Sequence, residues 1–73
     1  MTVEALNQQL AIISTITKRA LDKPEDYLSP ASTDLLICGQ TLRILTSTNR
    51  LSPDEASKVK AAISKSREIL RIG

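Results

Sequence analysis

The chain has 73 residues, a net charge of +2 and 41% hydrophobic residues, but its only aromatic side chain is that of Tyr27. A single core in a chain this short supplies only about 3–5 kcal/mol of stability. The usual reinforcements are excluded, because one cysteine cannot form an internal disulfide and the sequence has no histidine to bind a metal. We therefore expect one domain over residues 1–73, without metal or cofactor, that is stabilised by association with a second chain.

The apolar segments of the sequence are short. The longest uninterrupted runs, at 10–13 and 35–38, contain four residues each, whereas a transmembrane helix needs about 20. Glu4 lies where a secretory signal peptide carries positive charge. We therefore expect no membrane association and a cytoplasmic, reducing location.

The first predicted helix covers residues 3–21, where apolar residues recur at helical spacing. These residues are Val3, Leu6, Leu10, Ile13 and Ala20. Thr2 is predicted to cap this helix, and Gln9 to face outward. The β-branched run at 12–17 would suit a strand, but its neighbours are strong helix formers and no second strand is available for pairing. Pro24 ends the helix because the residue before a proline leaves the helical conformation, so Lys23 is predicted to be extended or in a turn.

The second predicted helix covers residues 30–47 and follows a linker at 22–28. Ser29 is predicted as its N-cap and Pro30 as its first residue, where a missing N–H group costs nothing. Gly39 weakens the interior of a helix, so we expect a neighbouring backbone to pack closely against it; the alternative is that the fold tolerates the penalty.

Apolar residues dominate this second helix. One stripe at helical spacing consists of Ala31, Leu35, Cys38, Leu42 and Leu45. Leu36, Ile37 and Ile44 lie beside the stripe, which makes the apolar arc too wide for one partner helix. The helix is therefore expected to pack against both other helices or to meet a second chain. Asn49 is predicted to end it in the left-handed conformation.

The third predicted helix covers residues 53–71 and has the clearest start in the sequence. Ser52 precedes Pro53, and Glu55 stands three residues after the serine, which is the pattern of a capping box. The predicted buried stripe consists of Ala56, Val59, Ile63, Ser66 and Leu70.

Residues suited to catalysis are scarce. Cys38 lies in the apolar stripe and the sequence has no histidine to act as its base, so a buried, inert thiol is expected. Asp54 and Glu55 stand in the first turn of a helix, where negative charge is favourable without any catalytic role. With two glycines in the whole chain, no phosphate-binding loop is present. We do not expect an enzyme.

Basic residues concentrate in the second half of the chain. Residues 1–34 carry three basic and five acidic side chains, whereas residues 35–73 carry seven basic and three acidic ones. The basic face of the third helix consists of Lys58, Lys60, Lys65, Arg67 and Arg71. A solvated polar face is the usual meaning of such a pattern, but an acidic partner or nucleic acid is the alternative.

The sequence as a whole predicts an all-α fold, either a small three-helix bundle or a helical hairpin, that forms a homodimer. The expected function is that of a small intracellular protein–protein interaction or regulatory module of the adaptor, inhibitor or chaperone type. Its partner is another protein or a second copy, bound through the apolar surface of helices one and two. The candidate interface residues are Leu10, Ile12, Ile16, Leu36, Ile37 and Ile44. The alternative is a DNA- or RNA-binding regulator that uses the basic face of helix three.

Overall fold

The computed structural model describes residues 3–72, and the side chains of residues 4–72. Three helices follow one another: α1 (Val3–Asp22), α2 (Pro24–Ser47) and α3 (Pro53–Leu70). Within this part of the chain there is no strand, and each helix packs against the other two. The prediction of an all-α three-helix bundle is thereby confirmed. The predicted cap at Thr2 lies outside the described residues.

A single non-helical residue, Lys23, joins α1 to α2. Its backbone has φ −134° and ψ 74°, so the predicted effect of Pro24 on the preceding residue is confirmed. The amide of Lys23 donates to the carbonyl of Arg19 at 2.9 Å, and the amide of Tyr27 donates to the carbonyl of Lys23 at 2.9 Å. These bonds end one helix and begin the next without an intervening loop.

The predicted start of the second helix at Pro30 is wrong, and so is the predicted linker at 22–28. The helix begins at Pro24, and Pro30 lies inside it. Pro24 fits the first helical position as well as Pro30 does, and Glu25 and Asp26 favour a start there because they lie at the positive end of the helix dipole. Pro30 is tolerated because it lies on the exposed side of α2, where water can bind the carbonyl that loses its N–H donor.

The connection from α2 to α3 follows the sequence prediction closely. Asn49 has φ 60°, and the amide of Arg50 donates to the carbonyl of Leu45 at 2.8 Å, which closes the helix end. The predicted capping box of α3 is confirmed: Glu55 N–H donates to Ser52 Oγ at 3.2 Å, and Ser52 N–H donates to Glu55 Oε1 at 2.9 Å. Both ends of this turn are therefore fixed by local hydrogen bonds.

The core contains aliphatic side chains from all three helices. Its buried members are Ile13, Ala20, Ala31, Leu35, Cys38, Leu51, Val59, Ile63 and Leu70. The predicted stripe on α2 faces this core, with Leu42 and Leu45 only partly buried. The predicted stripe on α3 is buried except for Ala56, which is partly buried and is not among the residues packed against the core. One prediction for α1 is wrong: Gln9 is 8% exposed and does not face outward. It lies four residues before Ile13, so it shares the inward side of α1 with that core residue.

Candidate functional site

The most exposed large apolar side chains of α2 form what we call the α2 ridge, which consists of Leu36, Ile37 and Ile44. Their exposed fractions are 55%, 51% and 62%. Ile37 and Ile44 are seven residues apart, or two helical turns, and so share one face. Although α2 packs against both other helices, as its wide apolar arc predicts, the bundle leaves this face uncovered.

An open groove of about 790 Å³ runs between α2 and α3, beside the ridge. Its lining residues on α2 are Leu36, Gly39, Gln40, Leu42, Arg43, Thr46 and Ser47. Its lining residues on α3 are Pro53, Ala56, Ser57, Lys60, Ile63, Ser64 and Arg67. Apolar, uncharged polar and basic side chains thus form the walls of the α2–α3 groove.

The charge of the α2–α3 groove has one sign. Arg43, Lys60 and Arg67 line it, and no Asp or Glu does so among the described residues. Arg67 is partly buried, and its Nε is shielded from solvent without a hydrogen-bond partner in the described part of the chain. A buried N–H donor without a partner is unfavourable, and a guanidinium group binds anions through charge-assisted hydrogen bonds.

Gly39 lies in the lining of this groove, and the expectation that a neighbouring backbone packs closely against it within the chain is wrong. A Cβ atom built at Gly39 would meet no heavy atom within 4 Å. Its position on α2 gives the physical reason. Gly39 is four residues after Leu35 and three before Leu42, which are both part of the stripe that faces the core, but Gly39 itself lines the α2–α3 groove. The glycine therefore borders open space.

A second groove, of about 460 Å³, lies between α1 and α2. The buried Gln9 contributes to its lining. Its apolar lining residues are Ala11, Ile12, Ile16, Ile37 and Cys38. This α1–α2 groove carries charges of both signs. Its charged lining residues are Arg19 and Asp34.

The predicted interface residues do not form one patch. Ile12, Ile16 and Ile37 meet in the α1–α2 groove, whereas Leu36 lies in the α2–α3 groove. Leu10 is partly buried and Ile44 is exposed, and neither lines either groove. Helix α2 therefore separates the predicted surface into two sides.

The predicted basic face is also divided. Lys60 and Arg67 line the α2–α3 groove, whereas Lys58, Lys65 and Arg71 are exposed outside it. Sequence reasoning missed Arg43, which adds a third positive charge from α2. Its signal was present, since Arg43 lies seven residues after Leu36 and four after Gly39, on the same side of the helix.

The single thiol of the chain, that of Cys38, is buried and unpaired. Burial raises the pKa of Cys38, and the neighbouring Asp34 carboxylate raises it further. Both effects disfavour the thiolate, which is the reactive form of cysteine. Cys38 is therefore suited to filling the core and poorly suited to nucleophilic chemistry.

The described residues contain neither a metal-binding cluster nor a membrane-spanning helix. Among residues 3–72, no group of three or more His, Cys, Asp or Glu side chains is arranged to hold a metal ion. None of the helices in the described part of the chain combines the length and apolar character needed to cross a membrane.

Comparison with protein-family profiles, with curated proteins and with solved structures finds no match for this chain.

Proposed function

We propose that this protein is a small, non-catalytic protein–protein interaction module of the cytoplasm, and that the α2 ridge is its main contact surface. The observation that carries the proposal is the exposure of Leu36, Ile37 and Ile44, each more than half accessible on one helix. Single exposed apolar residues are ordinary on protein surfaces, but a group of them marks an interaction site more often.

The apolar contribution of such a contact is substantial. Fully burying a leucine or isoleucine side chain contributes about 1.5–3 kcal/mol. Since each ridge residue is about half exposed, covering all three supplies roughly 2–5 kcal/mol. Ile12, 46% exposed at the edge of the α1–α2 groove, extends the apolar surface next to Ile37. These side chains can form the apolar centre of an interface, to which a polar rim adds further contacts.

A second copy of the chain is the simplest occupant of the ridge. A dimer would add buried apolar area to a core that is small for independent stability. The partner surface of an isologous dimer is the same ridge, so Ile44 of one copy can pack near Ile37 of the other. Adaptor, inhibitor and chaperone roles all use an apolar surface of this kind toward another protein.

Light scattering across a dilution series tests self-association. A dimer has twice the 8.0 kDa mass of one chain, and the Ile37→Asp and Ile44→Asp variants are expected to shift it to monomer. Ile69→Asp is the matched control, because Ile69 is 45% exposed on α3 and lies outside the ridge. Equal loss of the dimer in all three variants would assign the effect to general destabilisation.

If the chain stays monomeric at every concentration, the ridge must be tested for contact with another protein. A photo-crosslinking residue placed at position 44 is then expected to trap a protein in the cells that make this chain, and the same residue at position 69 is not. If position 44 gives no adduct and the chain is a monomer, the ridge is not an interaction surface.

Nucleic-acid binding is the second candidate, and one observation favours it: Arg43, Lys60 and Arg67 line the same groove. Phosphate contacts by such residues produce affinity that falls steeply with salt. A labelled duplex titrated at two salt concentrations decides this question. Binding that falls with salt and disappears in Lys60→Glu/Arg67→Glu would support nucleic acid as the partner.

A further inference from the structure

We propose that the α2–α3 groove binds an acidic amphipathic helix of another protein, which lies along the groove as a fourth helix of the bundle. The inference rests on the proposed role as an interaction module. It concerns a surface that shares only Leu36 with the α2 ridge. The ridge variants at Ile37 and Ile44 lie outside this groove, so the two proposals can fail separately.

The charge of the groove selects an acidic partner. Arg43, Lys60 and Arg67 face it from two helices, and none of the described lining residues is acidic. Positive groups beside an apolar wall attract carboxylates and repel basic segments, which sets the choice of partner as well as the rate of encounter.

Arg67 is the best-placed anchor in the groove. Its Nε is shielded from solvent and has no hydrogen-bond partner among the described residues. A planar guanidinium group can bind both oxygens of one carboxylate, and such charge-assisted bonds are stronger than neutral ones. An Asp or Glu of the docked helix can therefore pair with the Arg67 guanidinium group, whose Nε has no partner among the described residues.

The dimensions of the groove fit a short helix. On α3 the lining extends from Pro53 to Arg67, which corresponds to about 21 Å or four turns. Lys60 and Arg67 are seven residues apart and so lie on one face, separated by about 10.5 Å along the axis. Two acidic residues at the same seven-residue spacing on the docked helix can reach both.

Gly39 adds a steric argument. The space where its Cβ would lie is open to 4 Å, and the residue lines the groove. Glycine in the middle of a helix is unfavourable, and no contact within the described chain explains it. An incoming helix can bring its backbone closer to α2 at Gly39 than at any residue with a side chain.

Other occupants fit less well. The sequence has no two acidic residues seven positions apart, so a second copy does not supply the required pattern. Nucleic acid would satisfy the cations, but it would leave the apolar side chains of Leu36 and Ile63 facing a phosphate backbone. The chain also has no aromatic residue in the groove on which bases could stack.

A display library tests the inference with the full chain as the target. The library consists of amphipathic helices about four turns long, with their polar positions randomised. The expected result is enrichment of helices with two Asp or Glu residues seven positions apart beside an apolar stripe. Binding to Lys60→Glu/Arg67→Glu is expected to weaken by about tenfold or more.

Lys58→Glu/Lys65→Glu is the matched control, because it changes the net charge equally at exposed positions outside the groove. It is expected to weaken binding by less than about threefold. Arg43→Glu is the second groove variant, to be used if circular dichroism shows that the Arg67 change unfolds the chain. Arg43 is exposed, so its replacement should leave the fold intact.

Several outcomes overturn the inference. The selection overturns it if no helix is enriched, or if the enriched helices carry no excess of acidic residues. The binding measurements overturn it if the groove and control variants lose binding equally. A groove variant that abolishes self-association would assign the groove to a second copy, and one that abolishes duplex binding would assign it to nucleic acid. Loss of helix binding in Ile37→Asp/Ile44→Asp alone would move the contact to the ridge and leave the interaction role standing.

Discussion

The hydroxyl oxygens of Thr17 and Ser66 lie 2.5 Å apart, although the two residues are 49 positions apart in the sequence. Thr17 Oγ1 also donates to the carbonyl of Ile13 at 2.8 Å. A hydroxyl has one proton, so Ser66 must donate to Thr17 while Thr17 donates to the backbone. Because Ser66 is 2% exposed, this bond is a polar link between α1 and α3 beside the aliphatic core.

Removing one partner of this link should weaken the fold. Thr17→Val is expected to lower the free energy of unfolding by about 1–3 kcal/mol, because it leaves the buried Ser66 hydroxyl without its acceptor. Ser66→Ala should cost less, since alanine favours the helix and Thr17 keeps its bond to Ile13. Urea unfolding of both single variants and the double variant gives the coupling energy. Strictly additive effects would show that the two hydroxyls do not interact.

The serines that precede Pro30 and Pro53 should respond differently to the same substitution. Ser52→Ala removes the N-cap of α3 and is expected to cost about 1 kcal/mol. Ser29→Ala is the matched control, because Ser29 lies inside α2 and is exposed. It is expected to be neutral or stabilising by up to about 0.5 kcal/mol. Thermal unfolding of both variants measures the difference. A loss of stability in Ser29→Ala comparable to that in Ser52→Ala would mean that α2 begins at Pro30.

Gly39→Ala is expected to stabilise the isolated chain. The new methyl group meets no atom within 4 Å, and alanine is favoured over glycine in a helix by about 1 kcal/mol. The measurement is the urea concentration at the midpoint of unfolding. Ser57→Ala, at an exposed position on α3, is the reference for the effect of helix propensity alone. A destabilised Gly39→Ala variant would show that a neighbouring backbone does pack against this position.

Cys38 should react slowly with iodoacetamide in the folded protein. Its pKa is raised by burial and by Asp34, so less thiolate is present at a given pH than in the unfolded chain. The control is Thr33→Cys in a Cys38→Ala background, which places a thiol at an exposed position of the same helix. Equal rates for the two thiols would contradict the burial of Cys38.

The same shift predicts a pH dependence of stability. The folded state holds the Cys38 proton to a higher pH than the unfolded state, whose thiol has the ordinary pKa of 9.0. The unfolded chain therefore loses its proton first, and this group makes the fold less stable as the pH rises above that value. The decline should be smaller in Cys38→Ala, which has no thiol to titrate.

Local signals made parts of the fold predictable. The capping box at Ser52 and Glu55 and the left-handed Asn49 depend on neighbours in the sequence, so they could be predicted without knowing the packing. The start of α2 could not, because Pro24 and Pro30 both suit a first helical position. The structure uses the earlier one, and the serine before Pro30 makes no cap.

The candidate site was predictable only in part. Periodicity identified Leu36, Ile37 and Ile44 as apolar residues beside the core stripe, but it did not show on which side of α2 each neighbouring helix lies. That direction decides whether Gly39 meets a backbone or borders an open groove. It also brings Arg43 into the same groove as Lys60 and Arg67. Helical spacing places Arg43 on the side of Leu36 and Gly39, but it does not show that α3 lies on that side.

Tyr27 is the only aromatic residue of the chain, and it lies 41% exposed in the first turns of α2. The chain's near-ultraviolet absorbance and fluorescence therefore come from one end of α2, next to the joint with α1, and not from the core. Far-ultraviolet circular dichroism, by contrast, averages over all three helices. If the bundle unfolds in one step, the two signals change together; an earlier change in the tyrosine signal would show that this joint opens before the rest of the protein.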